Sequence, residues 1–164
     1  EERFSAKAIN FGILNGMKAR RLSHELRSDV ATAQRWLDEY QSSLPTLTNW
    51  MNDIWSKTAV TRVVKTLSGR TRVYLRDEPT LSAISVVVQG TAADIMAAAL
   101  VACEDAGLDP LLVVHDEVVA SSSDCGKLIA TMEHAANTLF PTHLGAVRFE
   151  ADGYTANTWG GDYV

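Results

Sequence analysis

Leu111-Leu112-Val113-Val114-His115-Asp116-Glu117-Val118-Val119-Ala120 is the stretch on which the reading of the fold turns. Two apolar, β-branched runs flank three polar residues. Such runs are too apolar for exposed strands, so they read as short buried strands joined by a tight hairpin. A carboxylate aimed outward from a rigid hairpin suits Mg²⁺, a hard cation that takes oxygen ligands. His115 could hydrogen-bond the end of a substrate. The same tip also fits a plain β-turn, in which Asp is common.

Upstream, Gln89-Gly90-Thr91-Ala92-Ala93-Asp94 leads into a helix expected over residues 95–106, ended by Gly107 and Pro110. Before it, Leu81 to Val88 is apolar and β-branched. Residues 58–76 are rich in Thr, Val and Arg, with Ser68-Gly69 as a turn signal. They read as a β-hairpin carrying Arg62, Lys65, Arg70, Arg72 and Arg76. Further back, a helix begins after Ser23 or Ser28, the second having Ser28-Asp29 as an N-cap pair. Val30, Ala33, Trp36, Leu37 and Tyr40 form its apolar face. Pro45 breaks the pattern and opens the next helix, whose apolar residues are Leu47, Trp50, Met51, Ile54 and Trp55. Trp and Met at this spacing read as core. Residues 124–140 form another amphipathic helix, and the end, from Val147, holds a strand.

The spacing predicts a helix over 3–16. Arg3, Lys7, Phe11 and Asn15 share one stripe, with Ile9 and Ile13 opposite. Gly12 and Gly16 each weaken it by about 1 kcal/mol against Ala, which points to close backbone approach. Two cations one turn apart and then an aromatic ring make a nucleotide grip, Arg and Lys on phosphates and Phe11 over a base or sugar. The alternative is a solvated basic face with Phe11 in the core.

The 164 residues are 46% hydrophobic and 21% charged, an ordinary globular composition. No apolar run approaches the ~20 residues that span a bilayer, and the first residues lack a signal-peptide layout. Membrane partners are not expected. Cys103 and Cys125 form no metal spacing and no disulfide framework, which suits a reducing, cytoplasmic compartment. The net charge of −5 hides an asymmetry. Residues 1–76 hold 13 basic against 7 acidic residues, and residues 77–164 hold 2 against 13. A basic half suits a polyanion.

Together these segments resemble the C-terminal part of a family A DNA polymerase, the DNA polymerase I type. Arg3-Phe-Ser-Ala-Lys7-Ala-Ile-Asn-Phe11-Gly12-Ile-Leu-Asn15-Gly16 resembles motif B on the fingers helix. Thr66-Leu-Ser-Gly69-Arg70-Thr-Arg72 resembles the Gly-Arg-x-Arg segment. Gln89-Gly-Thr-Ala-Ala-Asp94 is similar to the helix start beside the duplex, and Val114-His115-Asp116-Glu117 looks like motif C. Asn157-Thr158-Trp159 is similar to the terminal Gly-x-Asn-Trp stretch.

The resemblance implies an α+β fold: fingers helices over 1–60, then part of a palm with an antiparallel β-hairpin over 61–164. It implies template-directed DNA synthesis, in which a primer 3′-hydroxyl attacks the α-phosphate of a dNTP by a two-metal mechanism. Arg3 and Lys7 would bind nucleotide phosphates, with Phe11 and Asn15 beside sugar and base. Arg70, Arg72 and Gln89 would contact template-primer. Asp116 would ligate Mg²⁺, with Glu117 close by and His115 near the primer end.

The sequence departs from the family pattern in places. The family usually has Tyr, which would stack on the template base, where Asn15 stands. It often has Asn-x-Pro where Ser85-Val-Val87 stands and Gln where Val113 stands. The stretch between Arg76 and Gln89 is short, as in some phage-type members. Motif A, with the family's other metal-binding Asp, has no counterpart among these residues. The expectation is therefore a fragment, a split subunit or a domain of a longer polymerase, inactive alone. The alternative is a non-catalytic nucleic-acid-binding module that keeps the polymerase fold.

Overall fold

The computed structural model describes residues 9–121, 124–139 and 147–159. It forms two compact units, Glu1–Gln89 and Gly90–Val164. The first holds helical residues 9–14 (α1), α2 (Ala19–Glu25), α3 (Val30–Ser43), α4 (Pro45–Thr61), β1 (Val63–Lys65) and β2 (Thr71–Val73). Helix α5 (Ala83–Asp105) crosses the boundary. The second unit continues with β3 (Pro110–Val114), β4 (Glu117–Ala120) and α6 (Cys125–Leu139). The mixed helices and two small antiparallel sheets make the chain α+β. The unit boundary lies inside α5, whereas the expected subdomain boundary lies at 60/61.

Three helices end in the same way. At the end of α1, Gly16 has φ +78°, the Gly16 N–H donates to the Ile13 carbonyl at 2.9 Å, and the Met17 N–H donates to the Gly12 carbonyl at 2.8 Å. This Schellman pattern satisfies carbonyls that the helix leaves without partners. It also accounts for both glycines. Gly16 supplies the left-handed backbone, and a Cβ on Gly12 would come within 2.1 Å of Met17 Cε. Helix α5 repeats the pattern with Gly107 at φ +67° and with Leu108 bonded to the Cys103 carbonyl at 3.0 Å. Leu108 and Cys103 are both buried, and burial pushes the Cys103 thiol pKa up. Helix α2 uses Arg27 at φ +49°, with the Ser28 N–H on the Ser23 carbonyl at 2.9 Å.

Helix starts follow the sequence. The Asp29 carboxylate accepts from the Thr32 N–H at 2.8 Å and so caps α3, and that bond holds its pKa below the ordinary value. Pro45 opens α4. Among the described residues, the first unit has two buried clusters. Ile13, Ala19, Leu22, Ala33 and Leu37 form one, and Val64, Tyr74, Ala83 and Val87 form the other. Trp36 and Trp50, expected in the core, are 41% and 38% exposed. Ala33, Leu37 and Met51 take the buried face, because a core this small is closed by one stripe of each helix.

The first hairpin pairs Val63 with Val73, Val64 with Arg72 and Lys65 with Thr71. Its turn closes at Gly69, φ +90°, whose N–H donates to the Thr66 carbonyl at 3.0 Å. The Arg72 guanidinium lies 4.7 Å from the centroid of the Tyr74 ring and donates to Glu78 Oε1 at 2.5 Å. Glu78 Oε2 accepts the Leu75 N–H at 3.2 Å, and Arg62 donates to the Leu75 and Glu78 carbonyls. The Leu75 N–H first, and then Arg72, hold the Glu78 carboxyl below its usual 4.5.

Helix α5 begins twelve residues before the expected Ile95. The triple valine 86–88 reads as strand by propensity, yet Ala83, Val87, Thr91, Ala99 and Cys103 are all buried at multiples of four. That helical stripe overrides the local preference. The result is a 23-residue helix with a mean hydropathy of 1.8 over its best window, long and apolar enough by composition to cross a membrane, with 22% of that window buried. It corrects the expectation that no apolar run has bilayer length, because the two stretches join into one element. A single helix of this kind is weak evidence for a membrane.

In the second unit, β3 pairs with β4 as expected, but the loop is two residues long. Glu117 begins β4 opposite Val114, with Val113 opposite Val118 and a bulge at Leu111. The strands are not buried: Leu111, Leu112 and Val113 are 63%, 40% and 41% exposed. Among the described residues the sheet has two strands, and no further strand pairs with it. The expected terminal strand is also absent among residues 147–159. The Asn137 side-chain amide instead pairs with Phe149, donating to its carbonyl and accepting its N–H, both at 2.9 Å. Glu133 Oε1 accepts the Ala151 N–H at 3.0 Å. Side chains of α6 thus supply the bonds a neighbouring strand would make.

Arg27→Gly should stabilise the protein by about 0.5–1 kcal/mol, since glycine enters the left-handed region without a Cβ clash. Urea unfolding reads this, and a loss of stability would contradict the assigned helix end. Glu78, with its folded pKa lowered, stabilises above the unfolded value and loses that contribution as pH falls through the folded one. Below pH 4.5, wild type should therefore lose stability more steeply than Glu78→Gln in low-salt acid unfolding, because the exposed pair is screened by salt. Parallel acid curves would show that the carboxylate does not hold the hairpin.

Candidate functional site

Among the described residues, five of the ten expected site residues, Phe11, Asn15, Arg70, Arg72 and Gln89, lie in the first unit. Phe11 sits on α1 and is 55% exposed, not packed in the core. Its opposite face buries Ile13 and half-buries Ile9. Of the two readings that the spacing allowed, the ring is outward and not in the core. Arg3 and Lys7 lie outside the described residues.

Phe11 and Asn15 line a cleft of about 920 Å³ that also includes Gly16, Lys18, Arg20 and Leu81. The sequence reading missed Lys18 and Arg20. They follow the Schellman turn and line the same cleft as the ring. The Asn15 amide is engaged on both sides. Its Nδ2 donates to the Phe11 carbonyl at 2.7 Å, and its Oδ1 accepts from the Ser85 hydroxyl. Asn15 and the Ser85 segment are two of the places where the sequence departs from the family pattern, and here they touch.

Arg70 closes the turn of the first hairpin, its N–H donating to Thr66 Oγ1 at 3.1 Å. Arg72 stands on the next strand, stacked on Tyr74 and paired with Glu78, with its side chain 47% exposed. The hydroxyl of Tyr74 is within 3.0 Å of Ser82 Oγ. The guanidinium is thus fixed in place while one side stays open to an anion. Gln89 is exposed on α5, in the second turn of that helix and not at its start.

His115, Asp116 and Glu117 are all exposed at the end of the second hairpin. His115 has φ +57°, an uncommon conformation for a residue with a side chain. Strain of this sort costs about 1–3 kcal/mol and concentrates at functional sites. At the other end of the hairpin, the Ser121 hydroxyl donates to Asp109 Oδ2 at 2.6 Å and its N–H to the Asp109 carbonyl at 3.2 Å. Both ends of the strand pair are therefore fixed, and the Asp116 carboxylate stands in solvent. Among the described residues, no group of three or more His, Cys, Asp or Glu side chains could hold a metal ion. Two adjacent carboxylates still match the way Mg²⁺ is commonly bound, by one or two carboxylates with the remaining oxygens from phosphate and water.

Comparison with known proteins gives one answer. Residues 1–161 match the model of DNA polymerase family A. Over 130 residues the chain is 38% identical to the thermostable DNA polymerase I of Thermus aquaticus, covering 71% of this chain and 16% of that protein. Over 135 residues it is 38% identical to DNA polymerase I of Pseudomonas aeruginosa, covering 73% and 15%. The fold is similar to the POL domain of Pol1 from M. smegmatis in complex with DNA primer-template and dNTP, with a TM-score of 0.72, 25% identity, and coverage of 85% of this chain and 28% of that one. The chain spans about a sixth of the length of the curated relatives it matches. An α+β fold with an exposed acidic hairpin tip, an outward aromatic ring on a basic unit and a family match over nearly its whole length shows that this chain belongs to DNA polymerase family A.

Proposed function

We propose that this chain is the fingers-and-palm part of a DNA-directed DNA polymerase, with residues 1–60 as fingers and 61–164 as palm. The observation that carries the reading is the two-residue hairpin turn that holds the Asp116 carboxylate in solvent at the price of a left-handed His115. The M. smegmatis protein to which the fold is similar was solved with primer-template and dNTP, and the same two ligands are proposed for this chain.

The reaction is in-line attack by the primer 3′-hydroxyl on the α-phosphate, forming one P–O bond and breaking another to release pyrophosphate. Arg3 and Lys7 hold the nucleotide's phosphates, and Phe11 and Asn15 lie beside its sugar and base. Arg70, Arg72 and Gln89 hold template-primer, and His115 lies near the primer end. These residues act by position and charge. Asp116, with Glu117 close by, would hold the metal; when two Mg²⁺ ions are bound, the chemistry they supply is activation of the hydroxyl and neutralisation of the leaving group. The family's other metal-binding Asp comes from a companion segment, an N-terminal part or a split subunit. The exposed Leu111, Leu112 and Val113 support such a companion, because an isolated two-stranded hairpin is only marginally stable in water. The relatives are bacterial DNA polymerase I proteins, and the proposed setting is bacterial cytoplasm, with a host or phage gene as the source.

A second reading, a non-catalytic nucleic-acid-binding module, draws support from the exposed Arg70 and Arg72 of the first hairpin, cations suited to a phosphate backbone. One experiment separates the two. In the polymerase that carries this chain, Asp116→Ala should reduce Mg²⁺-dependent primer extension at least about a hundredfold. Binding of primer-template in a filter assay should stay within about threefold, because Asp116 is not one of the cations that neutralise phosphate. Undiminished extension would overturn the assignment of Asp116.

A further inference from the structure

Helix α1 is held at its C-terminal end from two directions within the first unit. Gly16 packs against the Trp55 ring of α4, where a Cβ on Gly16 would lie 3.6 Å from it, and the Trp55 indole N–H reaches the Leu81 carbonyl at 3.4 Å. The second hold is the Ser85 hydroxyl in the first turn of α5, which donates to Asn15 Oδ1. With Nδ2 on the Phe11 carbonyl at 2.7 Å, the plane of the Asn15 amide is fixed by bonds of opposite polarity.

Phe11 lies one turn before Asn15 on the same face of α1, and Gln89 lies one turn after Ser85 on the same face of α5. We infer that Ser85 is a positioning residue whose bond to Asn15 sets the register between the helix carrying Phe11 and the helix carrying Gln89. The inference rests on the proposed binding of nucleotide by α1. Ser85 acts through Asn15 and not by touching nucleotide. Loss of the bond frees the end of α1 to shift relative to α5, and the ring that covers the nucleotide shifts with it.

Single-nucleotide incorporation by the polymerase carrying this chain tests this. Ser85→Ala removes one hydroxyl and places a better helix former in the turn, so the helix should remain folded. It should raise KM for the incoming dNTP about three- to tenfold, the worth of one hydrogen bond. The kcat should stay within about twofold, as for lost ground-state binding. Asn15→Ala, which also removes a side chain proposed to lie beside sugar and base, should raise KM at least as much, and adding Ser85→Ala to it should cost nothing further. Ser85→Thr, which keeps the hydroxyl, should restore KM. An unmoved KM, additive losses, or no rescue by threonine would overturn the role. Amide exchange reports on the contact without catalysis: residues 11–17 should exchange faster in Ser85→Ala. A parent protein that incorporates no nucleotide would defeat the polymerase reading, and exchange would then decide the contact alone, with unchanged protection overturning it.

Discussion

The turn between Val114 and Glu117 leaves room for His115 and Asp116 and nothing else. That constraint governs the second unit. Pairing through Val114 and Glu117 forces a reversal in two residues, and the reversal is made by His115 at φ +57°. The Asp109–Ser121 bonds fix the far end of the ladder, so the strands cannot slip to relax the turn. A one-residue slip would move every side chain to the opposite face. The position of the Asp116 carboxylate follows from strand pairing, not from contacts of its own.

The first unit solves a similar problem with helix ends. A Schellman turn ends α1, and the Met17 side chain folds back over Gly12. That places Lys18 and Arg20 beside Phe11 around one cleft. Arg72 is held differently, between the Tyr74 ring and the Glu78 carboxylate, and Glu78 is itself tied to the backbone at Leu75. Lys18 and Arg20 thus follow from a backbone turn, and Arg72 from side-chain pairing. Because those pairs are exposed, salt weakens them and leaves the backbone arrangement intact.

Much of this was legible in the sequence. Asp29 and Pro45 mark helix starts because capping chemistry is local, and Gly12, Gly16, Gly69 and Gly107 mark turns or close approach for the same reason. The stripe that carries Phe11 and the acidic hairpin tip follow from periodicity, whereas the outward position of the Phe11 ring, one of two readings the spacing allowed, is set by the structure. What was not legible depends on tertiary packing. Val86 to Val88 have strand propensity, but the buried positions at Ala83, Val87 and Thr91 make them helix. Leu111 to Val113 look like buried strand residues, yet no third strand covers them among the described residues. The segment from Val147 to Ala151 pairs with the side chains of Asn137 and Glu133, a contact that no local signal announces. The Ser85–Asn15 contact joins residues seventy apart and was equally invisible.

The central claim is that the hairpin presents Asp116 as a metal ligand in nucleotide transfer. Mn²⁺ substituted for Mg²⁺ in the polymerase, with primer-template and dNTP bound, tests it most directly, because both are hard cations that favour oxygen ligands. Paramagnetic broadening of backbone amide signals should be greatest at His115, Asp116 and Glu117. Sharp signals at those three residues, with broadening centred elsewhere in the chain, would contradict the account.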